Sequence, residues 1–119
     1  MKQEKDLLEK DLGARLLYMP MVEYKGETYN ILGITHGRLV LCKPFMSYTL
    51  DECPLVEEVK PYLFPLSSMT EEQEYKYREV IASTFNHYEV YDWLNKNHFD
   101  YRGLIPRGLA IDATGLNIY

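Results

Sequence analysis

Adjacent Glu57 and Glu58, in this 119-residue chain, are a pair of carboxylates whose types suggest general acid–base chemistry. One carboxyl would donate a proton while the other accepted one, which requires both to face the same substrate. We predict a strand over Val56 to Val59, and neighbouring residues of a strand point to opposite faces. The spacing therefore argues against a catalytic pair.

The other titratable side chains are better explained by structural roles. Three glutamates follow Thr70 at a predicted helix start, where negative charge suits the helix dipole. His36 is expected to be exposed in a turn, and His98 follows a predicted helix end, where a cation would complete the dipole. The spacing of the three histidines, the third being His87, suits no helical metal pair.

No sequence motif indicates a cofactor or a nucleophile. The chain contains no phosphate-binding GxxxxGK[ST] loop, no GxGxxG, no GxSxG and no HExxH. Cys42 and Cys53 form neither a CxxC pair nor a metal motif, so we expect two free thiols, with one disulfide between them as the alternative. We predict no enzyme activity, no cofactor and no metal.

The negative charge is concentrated in one segment. Residues 51–79 contain eight acidic and three basic residues, so this segment alone carries a net charge of −5, equal to that of the whole chain. The chain also has 11 tyrosines against 4 phenylalanines, and exposed tyrosines suit a hydrated protein interface. We predict that a partner protein binds at a set of acidic and aromatic residues, together with one arginine: Asp51, Glu52, Glu57, Glu58, Tyr48, Tyr101 and Arg102.

Composition limits the class of protein. With 46% hydrophobic and 26% charged residues, the length favours a single domain spanning 1–119. No apolar run approaches the roughly 18 residues of a membrane span, and the charged N-terminus does not resemble a signal peptide, so we expect a cytoplasmic protein with no membrane partner. Direct nucleic-acid binding is not expected, because an acidic chain has few cations to neutralise phosphates.

The elements that would position these residues begin with a helix over 1–19. Leu8, Leu12 and Leu16 repeat at helical spacing, with Leu7 and Ala14 or Leu17 widening the apolar stripe. The period then alternates over 21–64, and turns at Lys25-Gly26 and Thr35-His36-Gly37 predict a β-meander. Residues 43–54 are expected to form a loop.

The rest of the chain is predicted to be mainly helical. Pro61 and Pro65 flank Tyr62-Leu63-Phe64, which we expect to be an edge strand or an extended connector. Within 70–105, a capping box at Thr70 opens a helix, and a second helix covers Glu89 to Asn97. Asp100 could cap one more turn. The residues expected to be buried on these helices are Tyr77, Val80, Ile81, Phe85, Val90, Trp93 and Leu94.

Several long segments carry a family resemblance. They are VKPYLFPLSSMTEE at 59–72, YDWL at 91–94 and NHFDYRGLI at 97–105, with KDLGARL at 10–16 and VEYKG at 22–26. They resemble a family of small uncharacterised proteins encoded by Bacteroides-type gut bacteria, their prophages and their phages. The resemblance implies a phage or prophage accessory gene, and such genes often encode binders that inhibit host machinery, including CRISPR effectors. It implies no enzyme activity.

Together these observations predict an α+β fold. We expect an N-terminal helix, a three- to four-stranded antiparallel meander or small SH3-like barrel, and two to three short C-terminal helices. The expected function is non-enzymatic binding to a host protein, with a nucleic-acid-handling defence nuclease as the specific case. The alternative is a small-barrel protein that binds nucleic acid or acts in regulation.

Overall fold

The computed structural model describes residues 2–43, 53–83 and 87–119. Their helices are α1 (Lys2–Arg15), α2 (Glu71–Ser83) and α3 (His87–Lys96), with short 3-10 helices at Leu16–Tyr18, Val56–Glu58 and Leu66–Ser68. Their strands are β1 (Met21–Tyr24), β2 (Glu27–Thr35), β3 (Arg38–Cys42), β4 (Lys60–Pro65), β5 (Phe99–Asp100) and β6 (Ile111–Asp112). The predicted α+β class is confirmed.

The first three strands form the expected antiparallel meander. Tyr24 pairs with Glu27 and Thr35 pairs with Arg38, so each hairpin has a two-residue loop. Both residues of each loop have positive φ, 51° and 80° at Lys25-Gly26 and 52° and 75° at His36-Gly37. This geometry matches the right-handed twist of the flanking strands, which explains why glycine stands second in both loops.

The sheet continues beyond the meander and differs from the prediction. The strand order is β3-β2-β1-β4-β5, with β6 also paired to β4, so the described residues form six strands and no closed barrel. Strand β4 pairs antiparallel with β1 but parallel with β5 and β6. The predicted SH3-like barrel is therefore wrong, and so is the purely antiparallel sheet.

Strand β4 lies inside the sheet although two prolines flank its centre. The main chain between the prolines supplies the ladder bonds, since Phe64 N donates to His98 O at 2.8 Å and Leu63 O accepts from Ala113 N at 2.8 Å. Pro61 lies opposite Val22. The prediction of an edge strand or connector is wrong because both prolines stand near the strand ends, where no central amide is lost.

The core lies between α1 and the meander and extends to β4 and the turn at 104–110. Leu8 and Leu12 are buried as predicted, whereas Leu16 is only partly buried and Leu17 is 88% exposed. The expected alternation in β2 is confirmed, because Tyr29 and Ile31 are buried while Leu32 is exposed. Helix α1 ends its α-helical geometry at Arg15 rather than at residue 19, with a 3-10 turn before Pro20.

Helix α2 does not bury the predicted stripe. None of its residues is fully buried, Ile81 is 48% exposed, and the helix packs chiefly against α3. Tyr77 and Val80 are partly buried, and Tyr77 stacks on Trp93 with ring centroids 5.6 Å apart. Phe85 lies outside the described residues. The prediction is wrong because one neighbouring helix, rather than the sheet, covers this segment.

Helix α3 follows the prediction more closely. It begins at His87 and ends at Lys96, close to the predicted range, and Leu94 is buried. Trp93 and Val90 are partly buried. Asp100 caps the following turn, since its carboxylate accepts from Leu104 N at 2.8 Å and from Ile105 N at 2.9 Å.

No helix in the described part of the chain is long and apolar enough to cross a membrane.

Candidate functional site

The predicted partner-binding residues fall into two separate places. Glu57 and Glu58 lie on the 3-10 turn beside the N-terminal half of α1. Tyr101 and Arg102 follow β5 and contact the other end of the same helix, at Asp11 and Arg15. Asp51, Glu52 and Tyr48 lie outside the described residues. Lys5 and Asp11, the α1 partners of the two groups, are separated by about 9 Å along the helix axis.

Both described acids of the first group already have partners. Glu57 Oε2 lies 3.7 Å from Lys5 Nζ, and Glu58 Oε2 accepts a hydrogen bond from Leu55 N at 2.8 Å. The predicted strand over Val56 to Val59 is wrong, because Val56–Glu58 forms a 3-10 turn that Glu58 caps. Val59 and Val56 are both buried, so the turn contributes to the core. The roles observed for Glu57 and Glu58 are thus structural ones.

A buried charge cluster occupies the second place. Its members, Asp11, Arg15 and Arg102, are called the charge cluster below. Arg15 and Asp11 are 0% exposed, and Arg15 donates to both Asp11 oxygens, from Nε at 2.9 Å and from Nη2 at 3.1 Å. Arg15 Nη2 also donates to Phe99 O at 2.5 Å, and Arg102 Nη1 donates to Asp11 Oδ1 at 2.8 Å.

The charge cluster was missed by the sequence reasoning except for Arg102. One signal was available, because Asp11 and Arg15 stand at i and i+4, the spacing of a helical ion pair. That spacing also occurs on exposed helix faces. Here the pair is buried, and residues distant in sequence contact it, namely Phe99 through its carbonyl and Arg102 through its guanidinium.

Tyr101 is held firmly next to the charge cluster. Its hydroxyl donates to Asn95 Oδ1 at 2.8 Å, and Asn95 is itself buried. The guanidinium carbons of Arg102 and Arg15 lie 4.6 and 5.3 Å from the centre of its ring. Cation–π attraction of this kind adds to the hydrogen bond. The structure therefore places Tyr101 and Arg102, two predicted residues that are adjacent in sequence, in contact with α1 and α3.

His98 does not act as a cation at the helix end. Burial, together with the nearby positive charge of Arg15, lowers the pKa of His98 to about 4. Its ring stacks on Tyr119 with centroids 3.6 Å apart. The predicted dipole role is wrong because burial of the ring disfavours its charged form. His36, in contrast, is exposed in its turn as predicted.

Tyr119 fixes the end of the chain to the sheet. Its hydroxyl donates to Tyr62 O at 2.9 Å and accepts from Met21 N at 2.9 Å. Burial of this hydroxyl raises the pKa of Tyr119 to about 12, although 44% of the residue's surface is exposed. The group is structural at neutral pH.

A third feature is the exposed surface of the two C-terminal helices. We call it the α2–α3 surface, made of the carboxylates and large apolar side chains Glu71, Glu72, Glu74, Tyr75, Ile81 and Tyr88. The apolar members are 67%, 48% and 73% exposed in chain order. The three glutamates form no ion pair with any residue of 2–43, 53–83 or 87–119.

A capping box closes the N-terminus of helix α2. Thr70 Oγ1 accepts from Gln73 N at 3.1 Å and Gln73 Oε1 accepts from Thr70 N at 3.0 Å, so the predicted capping box is confirmed.

On α3, Asp92 accepts a hydrogen bond from the Tyr18 hydroxyl, and this bond raises the pKa of Tyr18. That contact ties α3 to the 3-10 turn that follows α1.

Metal-ligating and thiol chemistry is not assembled in the described ranges. No group of three His, Cys, Asp or Glu residues there is placed to hold a metal ion. Cys42 is buried and Cys53 is exposed, and neither of them is in a disulfide bond.

Comparison of the chain with protein-family models, with curated proteins and with solved structures gave no match.

Proposed function

We propose that this protein is a non-enzymatic binding protein whose α2–α3 surface docks on a basic surface of another protein. The observation that carries the proposal is that α2 buries none of its own residues fully, yet presents Tyr75 and Ile81 to solvent. A tyrosine covers about 150–250 Å² when it is buried, so Tyr75 together with Ile81 supplies the apolar centre of a small interface.

Charge selects the kind of partner. Helix α2 carries four glutamates against one lysine and one arginine, and only Glu79 is paired with a basic residue within the described ranges, with Lys76 at 3.8 Å. Glutamates without an ion-pair partner in the described ranges, on a helix that also exposes an aromatic ring, complement a positively charged surface and speed association at low salt. This moves the expected acidic contact from Glu57 and Glu58, which have structural partners, to Glu71, Glu72 and Glu74.

The specific case that we propose is a host nuclease with a basic nucleic-acid channel. Such a channel has the charge that the α2–α3 surface complements, and covering it would inhibit the enzyme. The phage or prophage setting, which the sequence resemblance implies, is part of the same proposal.

The test is quantitative capture from a lysate of a Bacteroides-type host, with the bound proteins measured by mass spectrometry. The variant Glu71→Gln/Glu72→Gln/Glu74→Gln removes three charges while keeping good helix formers. The matched control, Glu4→Gln/Asp6→Asn/Glu9→Gln, removes three charges from α1 instead. We expect a basic partner whose recovery falls at least fivefold with the α2 variant and by less than twofold with the control.

Two further measurements separate the possible results. Tyr75→Ala should weaken capture of the same partner, and the purified chain should inhibit cleavage if that partner is a nuclease. Equal recovery by the wild type and the α2 variant would overturn the docking proposal. Binding of the chain to a single-stranded oligonucleotide in low salt would favour the nucleic-acid alternative instead.

A further inference from the structure

An open depression lies where α1, α3 and the segment after β5 meet. It has a volume of about 460 Å³ and is lined by Lys10, Tyr91, Tyr101 and Arg102. We call it the ring cleft. Pockets that hold small molecules have volumes of about 300–1,000 Å³, so the ring cleft is large enough for one small ligand. It shares no residue with the α2–α3 surface defined above.

Arg102 lines the ring cleft and has hydrogen-bonding capacity left for a ligand. Its Nη1 is committed to Asp11 Oδ1 at 2.8 Å, and its guanidinium lies over the ring of Tyr101. Its Nε and Nη2 donate to no residue in the described ranges, and 17% of the side chain is exposed. These two nitrogens form the planar fork that binds two oxygens of a phosphate or carboxylate at once. The fork is therefore positioned before any ligand arrives.

The local charge favours an anion although the whole chain is acidic. Asp11 is shared by Arg15 and Arg102, so the charge cluster carries one net positive charge. The exposed ammonium of Lys10 adds a second positive charge at the rim of the cleft. Of the four lining side chains, two are cations and none is an acid.

Two tyrosine rings, tilted relative to each other, line the cleft. The centroids of Tyr91 and Tyr101 are 5.1 Å apart with an interplanar angle of 38°, and Tyr91 is 49% exposed. Tyr101 is fixed by its bond to Asn95, so one ring is rigid and the other has an accessible surface. Stacking of a base on such a ring contributes about 1–3 kcal/mol.

We propose that the ring cleft binds a phosphate ester that carries a flat ring, of which a nucleoside monophosphate is the simplest. The phosphate lies between Lys10 and the free fork of Arg102, and the ring stacks on Tyr91. A single nucleotide fits this site better than a nucleic-acid strand, because a strand needs a longer row of cations than these two. The proposal uses different residues from the docking surface and does not depend on it.

Titration calorimetry of the full chain with adenosine monophosphate, adenosine and inorganic phosphate tests this inference. We expect the monophosphate to bind at least tenfold more tightly than either of the other two, because each lacks one half of the recognised group. Binding should weaken as salt is raised. Equal affinity for inorganic phosphate and the monophosphate would overturn the assignment of a ring-bearing ligand.

Exposed variants test the location without disturbing the charge cluster. Lys10→Glu and Tyr91→Ala should each lower the affinity for the monophosphate at least fivefold. Lys2→Glu, on the same helix, and Tyr75→Ala, on α2, are matched controls and should change it by less than twofold. No binding at millimolar concentration, or equal losses in the variants and their controls, would overturn the site. Unchanged circular dichroism spectra verify that each variant is folded.

Discussion

Replacing Asp11 by alanine should severely destabilise the fold because it leaves a charge without its counterion in the core. Arg15 is 0% exposed and makes two of its three hydrogen bonds to the Asp11 carboxylate. After the replacement, Phe99 O is the acceptor that Arg15 retains within the described ranges. Removing one partner of a buried ion pair costs about 3–5 kcal/mol, and small domains have a total stability of about 5–15 kcal/mol.

A double variant separates the buried charge from the loss of packing. In Asp11→Leu/Arg15→Met, neither charge is buried, Arg102 can turn toward solvent, and the main remaining cost is the Phe99 carbonyl without its donor. An unsatisfied buried acceptor costs about 1–3 kcal/mol. We therefore expect the double variant to be more stable than Asp11→Ala, even though more of the native contacts are gone.

Urea unfolding, followed by circular dichroism and by fluorescence of Trp93, measures these free energies. Trp93 stacks on Phe99, whose carbonyl accepts from Arg15, so its emission reports on this part of the core. Asp6→Ala, an exposed change on the same helix, is the control and should cost less than about 0.5 kcal/mol. A loss below about 1 kcal/mol for Asp11→Ala, or a double variant less stable than the single one, would refute the reasoning.

Three other predictions concern stability. The pKa of His98 is about 4 in the folded chain, against a reference value of 6.5. Between these two pH values the unfolded chain binds a proton at His98 that the folded chain does not. The free energy of unfolding should therefore fall as the pH drops from about 6.5 to about 4. The urea midpoints at pH 7 and pH 4.5 should differ less in His98→Asn than in the wild type, and an equal difference would contradict this assignment. Thr70→Ala should remove the cap of α2 at a cost of about 1 kcal/mol, seen as faster hydrogen exchange of the amides in its first turn, while exchange in β2 stays unchanged. Gly37→Ala should lower the free energy of unfolding by about 1–2 kcal/mol because φ is +75° there. Gly13→Ala, inside α1, should instead raise it by about 0.5–1 kcal/mol. Urea unfolding of both variants checks that the two changes in free energy have opposite signs.

The sequence was sufficient to predict the elements that are specified by residues close together in the chain. The hairpin loops, the capping box at Thr70 and the buried Leu8 and Leu12 depend on residues within one turn or one helical period. The position of strand β4 in the sheet and the 3-10 turn at Glu57 depend instead on contacts with residues that are distant in sequence. A proline pattern typical of an edge strand is found inside the sheet because β5 and β6 return to pair with the residues between the prolines.

The residues of the ring cleft, too, were predicted only in part from the sequence. Tyr101 and Arg102 were predicted as binding residues, but Lys10, Tyr91 and the open fork of Arg102 were not. Those residues are separated in sequence from Arg102 by up to 92 positions, and no spacing rule connects them. Glu57 and Glu58 were predicted in the same site, and the structure places them elsewhere with structural partners.

By itself, the sequence determined the α+β class, the meander with its two tight turns and the position of the capped helix, since backbone sterics and hydrophobic period act over a few residues. The net charge of −5 was also readable from the sequence. Only the tertiary structure decided which charges are buried, which are paired and which stay in solvent. The physical reason is desolvation: Asp11 and Arg15 are 0% exposed, and a charged pair at helical spacing is buried only where residues distant in sequence pack against it.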